Sequence, residues 1–215
     1  MARERNLAAA SGGGIDWTRP SQGDRKLKRA TYDDVLSAPE NQVAEILDGE
    51  LVLSPRPASR HSFACSRLAR ALAPFDEGQG GPGGWWILFE PELHFGEDVV
   101  VPDLGGWRRE RMPVMQDVPF FSLAPDWVCE VLSPSTERID RGRKLRIYAE
   151  AGVGQAWLVN PVERTLEVLR LRDGAWTIVA VCSGSGAVRV EPFDAIALAL
   201  ERLWVDSPAS PDALR

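Results

Sequence analysis

Three acidic residues lie in apolar stretches of the sequence, where carboxylates are uncommon. Glu45 stands between Ala44 and Ile46, Asp103 follows three valines and a proline, and Glu130 interrupts a compact apolar segment. A carboxylate in a buried strand is costly unless it is paired or binds a cation. If the strands are neighbours, the three side chains can converge on one point. Hard cations such as Mg²⁺ take oxygen ligands, often carboxylates together with substrate phosphate, so the set indicates a metal site.

Each of these carboxylates also has an ordinary explanation. Glu45 could face solvent from one strand of a hairpin, and Asp103 could begin a turn into the following glycines. Glu130 could form a salt bridge to an arginine of a neighbouring helix. The sequence leaves these alternatives open.

A basic segment follows Glu130 and holds five cations within nine residues: Arg138, Arg141, Arg143, Lys144 and Arg146. A phosphoryl-transfer site needs a cation where negative charge develops, and the compact ammonium of Lys144 can supply it. The alternative is a solvated helix face. On such a face Asp140, four residues before Lys144, would form a weak surface pair.

The elements that position these residues can be predicted from periodicity and turn residues. A short helix begins at Thr31, and Asp48-Gly49 marks the turn of a β-hairpin. The remaining prediction comprises a helix over 59–73, strands over 85–89, 92–95, 99–104 and 127–132, a basic helix ending near 151, and strands over 155–159, 166–171 and 176–181. A few helices with a mixed or antiparallel sheet give the class α/β (α+β).

Composition and charge limit the classes of protein. The 215 residues carry a net charge of −6, which argues against a non-specific nucleic-acid binder but leaves room for a local basic groove. Arg60, Arg67 and Arg70 share one helix face and could track a nucleic-acid backbone or form an ordinary wet face. Three scattered cysteines indicate neither disulfides nor zinc. We expect no membrane span and no organic cofactor, and a cytoplasmic protein.

The chain divides into three predicted parts. Residues 1–28 read as a flexible leader with linker-like glycines, 29–205 as one folded domain, and 206–215 as a flexible tail. The late strands with Trp157 and Trp176 could form an interface between copies.

Several stretches resemble the Uma2 family of the PD-(D/E)XK nuclease superfamily. They are Val-Pro-Asp at 101–103, Glu-Val-Leu-Ser-Pro-Ser-Thr at 130–136 and Lys144 with Tyr148 downstream, and the resemblance covers roughly 30–205. The 45–52 segment is similar to the family's N-terminal hairpin. The resemblance implies a restriction-endonuclease-like core, a mixed sheet flanked by helices.

The resemblance also implies the roles of individual residues. Asp103 and Glu130 map to the acidic ligands of Mg²⁺ (or Mn²⁺), with the backbone carbonyl of Val131 completing the set. The generic motif places a lysine two residues after the glutamate, where this chain has Leu132, so Lys144 is the candidate for the catalytic cation.

The implied activity is metal-dependent hydrolysis of DNA phosphodiester bonds, as an endonuclease that acts as a homodimer. Glu45 would be a further catalytic residue, and His61, Arg141 and Ser133 would bind substrate. The alternative function is a catalytically silent nuclease fold that serves as a binding or regulatory module. Metal binding at Asp103 and Glu130 distinguishes the two.

Overall fold

The structure is a computed structural model that describes residues 29–76 and 81–205. The predicted leader, 1–28, and the predicted tail, 206–215, lie outside the described residues. Within the described part, the strands form a six-stranded sheet, a four-stranded sheet and a two-stranded ribbon. The strands in chain order are β1 (Gln42–Leu47), β2 (Glu50–Pro55), β3 (Trp85–Phe89), β4 (Leu93–Phe95), β5 (Asp98–Val100), β6 (Leu104–Arg108), β7 (Trp127–Val131), β8 (Gln155–Asn160), β9 (Thr165–Arg172), β10 (Ala175–Ser183), β11 (Ala187–Val188) and β12 (Leu198–Ala199).

The N-terminal hairpin forms as the sequence predicts. Helix α1 (Tyr32–Leu36) begins after Thr31, whose backbone N–H donates to the Asp34 carboxylate at 2.8 Å. Strands β1 and β2 pair through the Asp48-Gly49 turn, where both residues have positive φ angles (58° and 79°), as a type I′ turn requires. Strand β1 also pairs with β5, so this hairpin extends the four-stranded sheet β2-β1-β5-β4.

The six-stranded sheet is mixed. Its order is β10-β9-β8-β7-β6-β3, and β7 and β8 are parallel while the other neighbours are antiparallel. The parallel pair requires a crossover, which is the predicted basic helix. This crossover consists of α3 (Glu137–Ile139), a π-helical turn (Asp140–Lys144) and α4 (Leu145–Glu150), and it ends at Gly152 with a positive φ.

Helices cover both faces of this sheet. Helix α2 (Ser59–Asp76) buries Leu68 and Leu72 against one face, and α4 buries Ile147 and Tyr148 against the other. Strand β7 alternates between the two cores, since Cys129 belongs to the first and Val128 to the second. The predicted class, a mixed sheet flanked by helices, is confirmed.

Two predicted boundaries were wrong. Helix α2 runs to Asp76 and contains Pro74 in its last turn, rather than ending before it. The strand predicted over 99–104 is two strands, β5 and β6, separated by Val101-Pro102-Asp103. Pro102 has no N–H to donate to a strand ladder, which favours this break. The break frees the backbone of Val101 to bond side chains of the site described below.

None of the helices in the described part of the chain is long and apolar enough to cross a membrane.

Candidate active site

A cavity of about 300 Å³ opens where β1, the 101–103 segment, the end of β7 and the π-helical turn meet. It brings together most of the site residues predicted from the sequence. The cavity wall includes Glu45, His61, Asp103, Glu130, Val131, Ser133 and Lys144. Arg56, Glu90 and Asp140 line it as well.

Lys144 lies at the centre of the buried side of this cavity. Its Nζ atom is 3.1 Å from Glu45 Oε1 and 3.0 Å from Glu130 Oε1, and it donates to the carbonyl oxygen of Val101 at 2.9 Å. Only 4% of the Lys144 side chain is exposed. The ammonium therefore has three oxygen partners from three different elements, which fix its position.

Glu45 does not face solvent, the alternative that the sequence left open. Its side chain is 5% exposed, and its Oε1 atom accepts the N–H of Val101 at 2.8 Å. Because β5 ends at Val100, the Val101 N–H is available to Glu45 and its carbonyl to Lys144. The broken strand thus holds the Glu45 carboxylate and the Lys144 ammonium together.

Glu130 is buried on the face of β7 that is covered by α4. Its Oε1 atom accepts a hydrogen bond of 2.5 Å from the Tyr148 hydroxyl in addition to the contact with Lys144. Tyr148 lies one helical turn after Lys144, so both project toward the strand from the same side of the crossover. The carboxylate is held by two donors on one oxygen, and the other oxygen, Oε2, stays available to a ligand.

Asp103 lines the same cavity from the segment before β6. Its Oδ2 atom accepts the backbone N–H of Val131 at 2.6 Å, and its Oδ1 atom lies 3.2 Å from His61 Nε2. The first bond ties Asp103 to the residue directly after Glu130. His61, in the first turn of α2, is mostly buried, and its Nδ1 atom has no partner among the described residues.

Burial and neighbouring charges both shift the pKa values of the ionisable groups at the site. Burial raises the pKa of Glu130 well above its usual value, although Lys144 opposes this shift. Burial likewise raises the pKa of Asp140 to about 6. Burial opposes the charged form of Lys144, but Glu130 and Glu45 prevail and raise its pKa well above the usual value. Lys144 is therefore an ammonium at neutral pH, and the carboxylates around it outnumber it.

His61 shows the same balance. Burial alone would lower its pKa, but the hydrogen bond and the charge of Asp103 raise it.

The donor set suits a hard divalent cation, although no preformed cluster exists. Among the described residues, no group of three or more His, Cys, Asp or Glu side chains has metal-binding geometry. The implied ligand set needs only two carboxylates and a carbonyl, because Mg²⁺ retains several of its waters. Asp103, Glu130 and Val131 line one cavity and offer carboxylate and carbonyl oxygens, the ligand types that hard divalent cations take. The residues present therefore fit Mg²⁺ or Mn²⁺.

The structure places Ser133 at the cavity and Arg141 outside it. Ser133 Oγ is 2.9 Å from the hydroxyls of Ser135 and of Thr136. Arg141 does not line the cavity; it forms ion pairs with Glu137 at 2.8 Å and with Glu167 at 2.5 Å. These two carboxylates lie on the helix and on β9, so they hold the guanidinium at the outer surface of the crossover.

Sequence reasoning missed Asp140 and Tyr148 as members of the site. Asp140 lies 3.9 Å from Lys144, and the spacing of four residues predicts a weak surface pair only if this stretch is a solvated helix face. The Asp140 and Lys144 side chains are both buried, because the π-helical turn that carries them packs against the sheet. Tyr148 was part of the recognised motif, and its spacing of four residues from Lys144 was the available signal.

Comparison with known proteins agrees with the resemblance to the Uma2 family that the sequence shows. The model of the Uma2 family, described as "Putative restriction endonuclease", matches residues 29–201. Among solved structures, a putative nuclease belonging to DUF820 from Anabaena variabilis is similar, with a TM-score of 0.65 and 24% sequence identity. The alignment covers 81% of this chain and 97% of that chain, and at this identity it shows the fold alone. No curated protein matches this chain.

Proposed function

Because the chain belongs to the Uma2 family, we propose that it is a metal-dependent endonuclease that hydrolyses phosphodiester bonds of DNA. One observation carries the proposal: Asp103, Glu130 and Lys144 line one cavity, with the Lys144 ammonium 3.0 Å from Glu130. Two hard-oxygen ligands beside a fixed cation are the parts that phosphodiester hydrolysis needs.

Asp103 and Glu130, with the Val131 carbonyl, would hold Mg²⁺ or Mn²⁺. A bound divalent ion would lower the pKa of a water ligand and polarise the scissile phosphate. The protein's own contribution is to orient both carboxylates. The Val131 N–H does this for Asp103, and Tyr148 and Lys144 do it for Glu130.

Lys144 would stabilise negative charge or orient the attacking water, and it would not act as a base. Its raised pKa keeps the proton on Nζ at neutral pH. Glu45 positions this ammonium through its contact of 3.1 Å. His61 would donate to a phosphate oxygen, and Ser133 offers a hydroxyl at the rim of the same cavity.

The experiment is a cleavage assay on supercoiled plasmid DNA with Mg²⁺ or Mn²⁺. The wild-type protein should nick or linearise the plasmid, and EDTA should abolish cleavage. Asp103→Asn and Glu130→Gln should be inactive, whereas Glu163→Gln, which alters an exposed carboxylate that does not line the cavity, should cleave at the wild-type rate. Cleavage that persists in both site variants would overturn the assignment, and a stable, folded wild-type protein that binds no metal would favour the binding module.

A homodimer and a cytoplasmic location are further parts of the proposal. The structure does not support an interface between copies formed by Trp157 and Trp176. Trp157 is buried, and Trp176 donates from Nε1 to the Leu145 carbonyl at 2.7 Å. The edge strand β10 is the better candidate. It exposes Ile178 and Val181 and contains neither a charged residue nor a proline, the features that usually protect an unpaired edge.

A further inference from the structure

The exposed side of helix α2 carries a row of three arginines, Arg60, Arg67 and Arg70, here called the arginine ridge. All three side chains are exposed. At 100° per residue they fall within an arc of about 80°. At a rise of 1.5 Å per residue, the ridge extends about 15 Å along the helix axis.

The described residues supply no ion-pair partner for the ridge. In the described part of the chain, no carboxylate lies within ion-pair distance of its guanidinium groups, and α2 contains no acidic residue before Asp76. The arginines of the crossover differ: Arg143 and Arg146 both pair with Asp48. In a chain with a net charge of −6, an unpaired basic row is a local exception.

The ridge starts in the first turn of α2, the turn that also carries His61. His61, next to Arg60, lines the cavity and contacts Asp103, and Arg56, just before α2, lines it too. Arg67 lies over the Phe63 ring at 4.9 Å, which holds its guanidinium on the same face. A strand whose scissile phosphate reached Asp103, and that left the cavity along the exposed side of α2, would meet the ridge.

We propose that the arginine ridge binds the backbone phosphates that flank the scissile bond. This inference rests on the proposed nuclease function. The ligand chemistry is the phosphodiester backbone, which DNA and RNA share. Contacts of this kind add affinity without reading sequence, and each one steepens the dependence of binding on salt.

The test measures binding of the full-length protein in EDTA to a fluorescein-labelled DNA duplex, by anisotropy, from 50 to 300 mM NaCl. The ridge variant is Arg60→Gln/Arg67→Gln. The matched control is Arg108→Gln/Arg172→Gln. It removes two exposed charges at the end of the six-stranded sheet that lies opposite the cavity. Arg108 lies over the Trp85 ring at 4.5 Å, so each pair contains one arginine on an aromatic ring.

The ridge variant should bind roughly tenfold more weakly at low salt, and its log–log salt slope should fall by roughly 1.4–1.8 relative to wild type. The control should keep the wild-type slope. Equal slopes in all three proteins, or an equal fall in both variants, would overturn the proposal. An RNA duplex of the same sequence serves as the second arm: a ridge effect confined to one polymer identifies that polymer as the ligand, and an equal effect identifies the shared backbone.

Cleavage by the wild-type protein, measured separately with Mg²⁺, distinguishes the two claims. If the wild-type protein cleaves DNA but the ridge variant binds as wild type does, only the proposal that the ridge binds phosphates is overturned. If the ridge variant binds DNA more weakly but no protein cleaves it, the proposed nuclease activity is overturned and phosphate binding by the ridge is supported.

Discussion

At the scale of single residues, the site depends on one ammonium surrounded by carboxylates. Lys144 is almost fully buried, and its contacts with Glu45 and Glu130 are 3.1 and 3.0 Å. Removing one member of a buried ion pair leaves the other uncompensated, which usually costs several kcal/mol. Lys144 should therefore matter for stability as well as for cleavage.

Lys144→Met should reduce the rate of DNA cleavage at least roughly 100-fold, because the cation beside the reacting phosphate is lost. It should also lower the free energy of unfolding at pH 7 by about 3 kcal/mol. Plasmid cleavage and urea denaturation provide the two readouts. Arg138→Met, which removes an exposed cation from the same crossover, is the matched control and should leave both nearly unchanged. A Met variant with wild-type cleavage would remove Lys144 from the mechanism.

Asp140 should make the protein less stable as the pH rises from about 4 to about 6. Its carboxyl pKa is raised from 3.8 to about 6 by burial, so the folded state binds the proton more tightly than the unfolded state. Stability is therefore highest when the group is protonated and falls as it ionises. Asp140→Asn should remove this loss and raise the free energy of unfolding at pH 7 by at most about 3 kcal/mol. Urea titrations in EDTA at pH 4 and pH 7 measure the difference; a variant that is less stable than wild type at pH 7 would contradict it.

At the scale of elements, the broken strand and the π-helical turn decide where the side chains meet. The segment between β5 and β6 presents Val101 to Glu45 and Lys144. The π-helical turn places Asp140 and Lys144 on the cavity together. Two glycines in these elements have opposite surroundings, and they test how tightly each element is packed.

Gly105→Ala in β6 should destabilise the protein by about 1–3 kcal/mol, since a Cβ atom there would lie 2.8 Å from Pro91 Cγ. Gly142→Ala in the π-helical turn should stabilise it by up to about 1 kcal/mol, because a Cβ there meets nothing within 4 Å and glycine is a poor helix former. Thermal and urea unfolding of both variants measure the two effects. The same sign of change in both would show that the packing at these positions is not as described.

The sequence predicts most helices and strands, but it does not predict which side chains contact one another in the candidate site. The hairpin was predictable because Asp48-Gly49 specifies its turn. Strands β7 and β8 were predictable because both are short, apolar segments. The break at Pro102 was missed because Val99–Val101 reads as one continuous apolar run. Burial of Glu45 and Asp140 could not be predicted, since it depends on how the hairpin and the crossover pack against each other, which periodicity does not encode.

At the scale of the whole molecule, β10 forms one edge of the six-stranded sheet, and no strand of the described residues lies beyond it. Strand β10 exposes 56% of Ile178 and 63% of Val181 at this edge. An edge without charge or proline favours pairing with another strand, and a second copy in antiparallel register would bury both side chains.

Ile178→Lys/Val181→Lys should convert a dimer into a monomer, because the paired edge would bury four ammonium groups. Light scattering after size-exclusion chromatography at several concentrations gives the mass. Val114→Lys/Val162→Lys changes two other exposed valines and should leave the mass unchanged. A wild-type protein that is monomeric at every concentration would contradict the dimer.

The central claim is that Asp103 and Glu130 hold one divalent ion beside Lys144. Anomalous diffraction from a crystal soaked in Mn²⁺ tests it most directly. We expect a single strong peak at oxygen-ligand distance, roughly 2.1 Å, from a carboxylate oxygen of Asp103 and of Glu130, with Lys144 Nζ nearby. No peak at saturating Mn²⁺, with Glu130 still bound to Tyr148 and Lys144 and Asp103 to His61, would contradict it and favour the catalytically silent binding module.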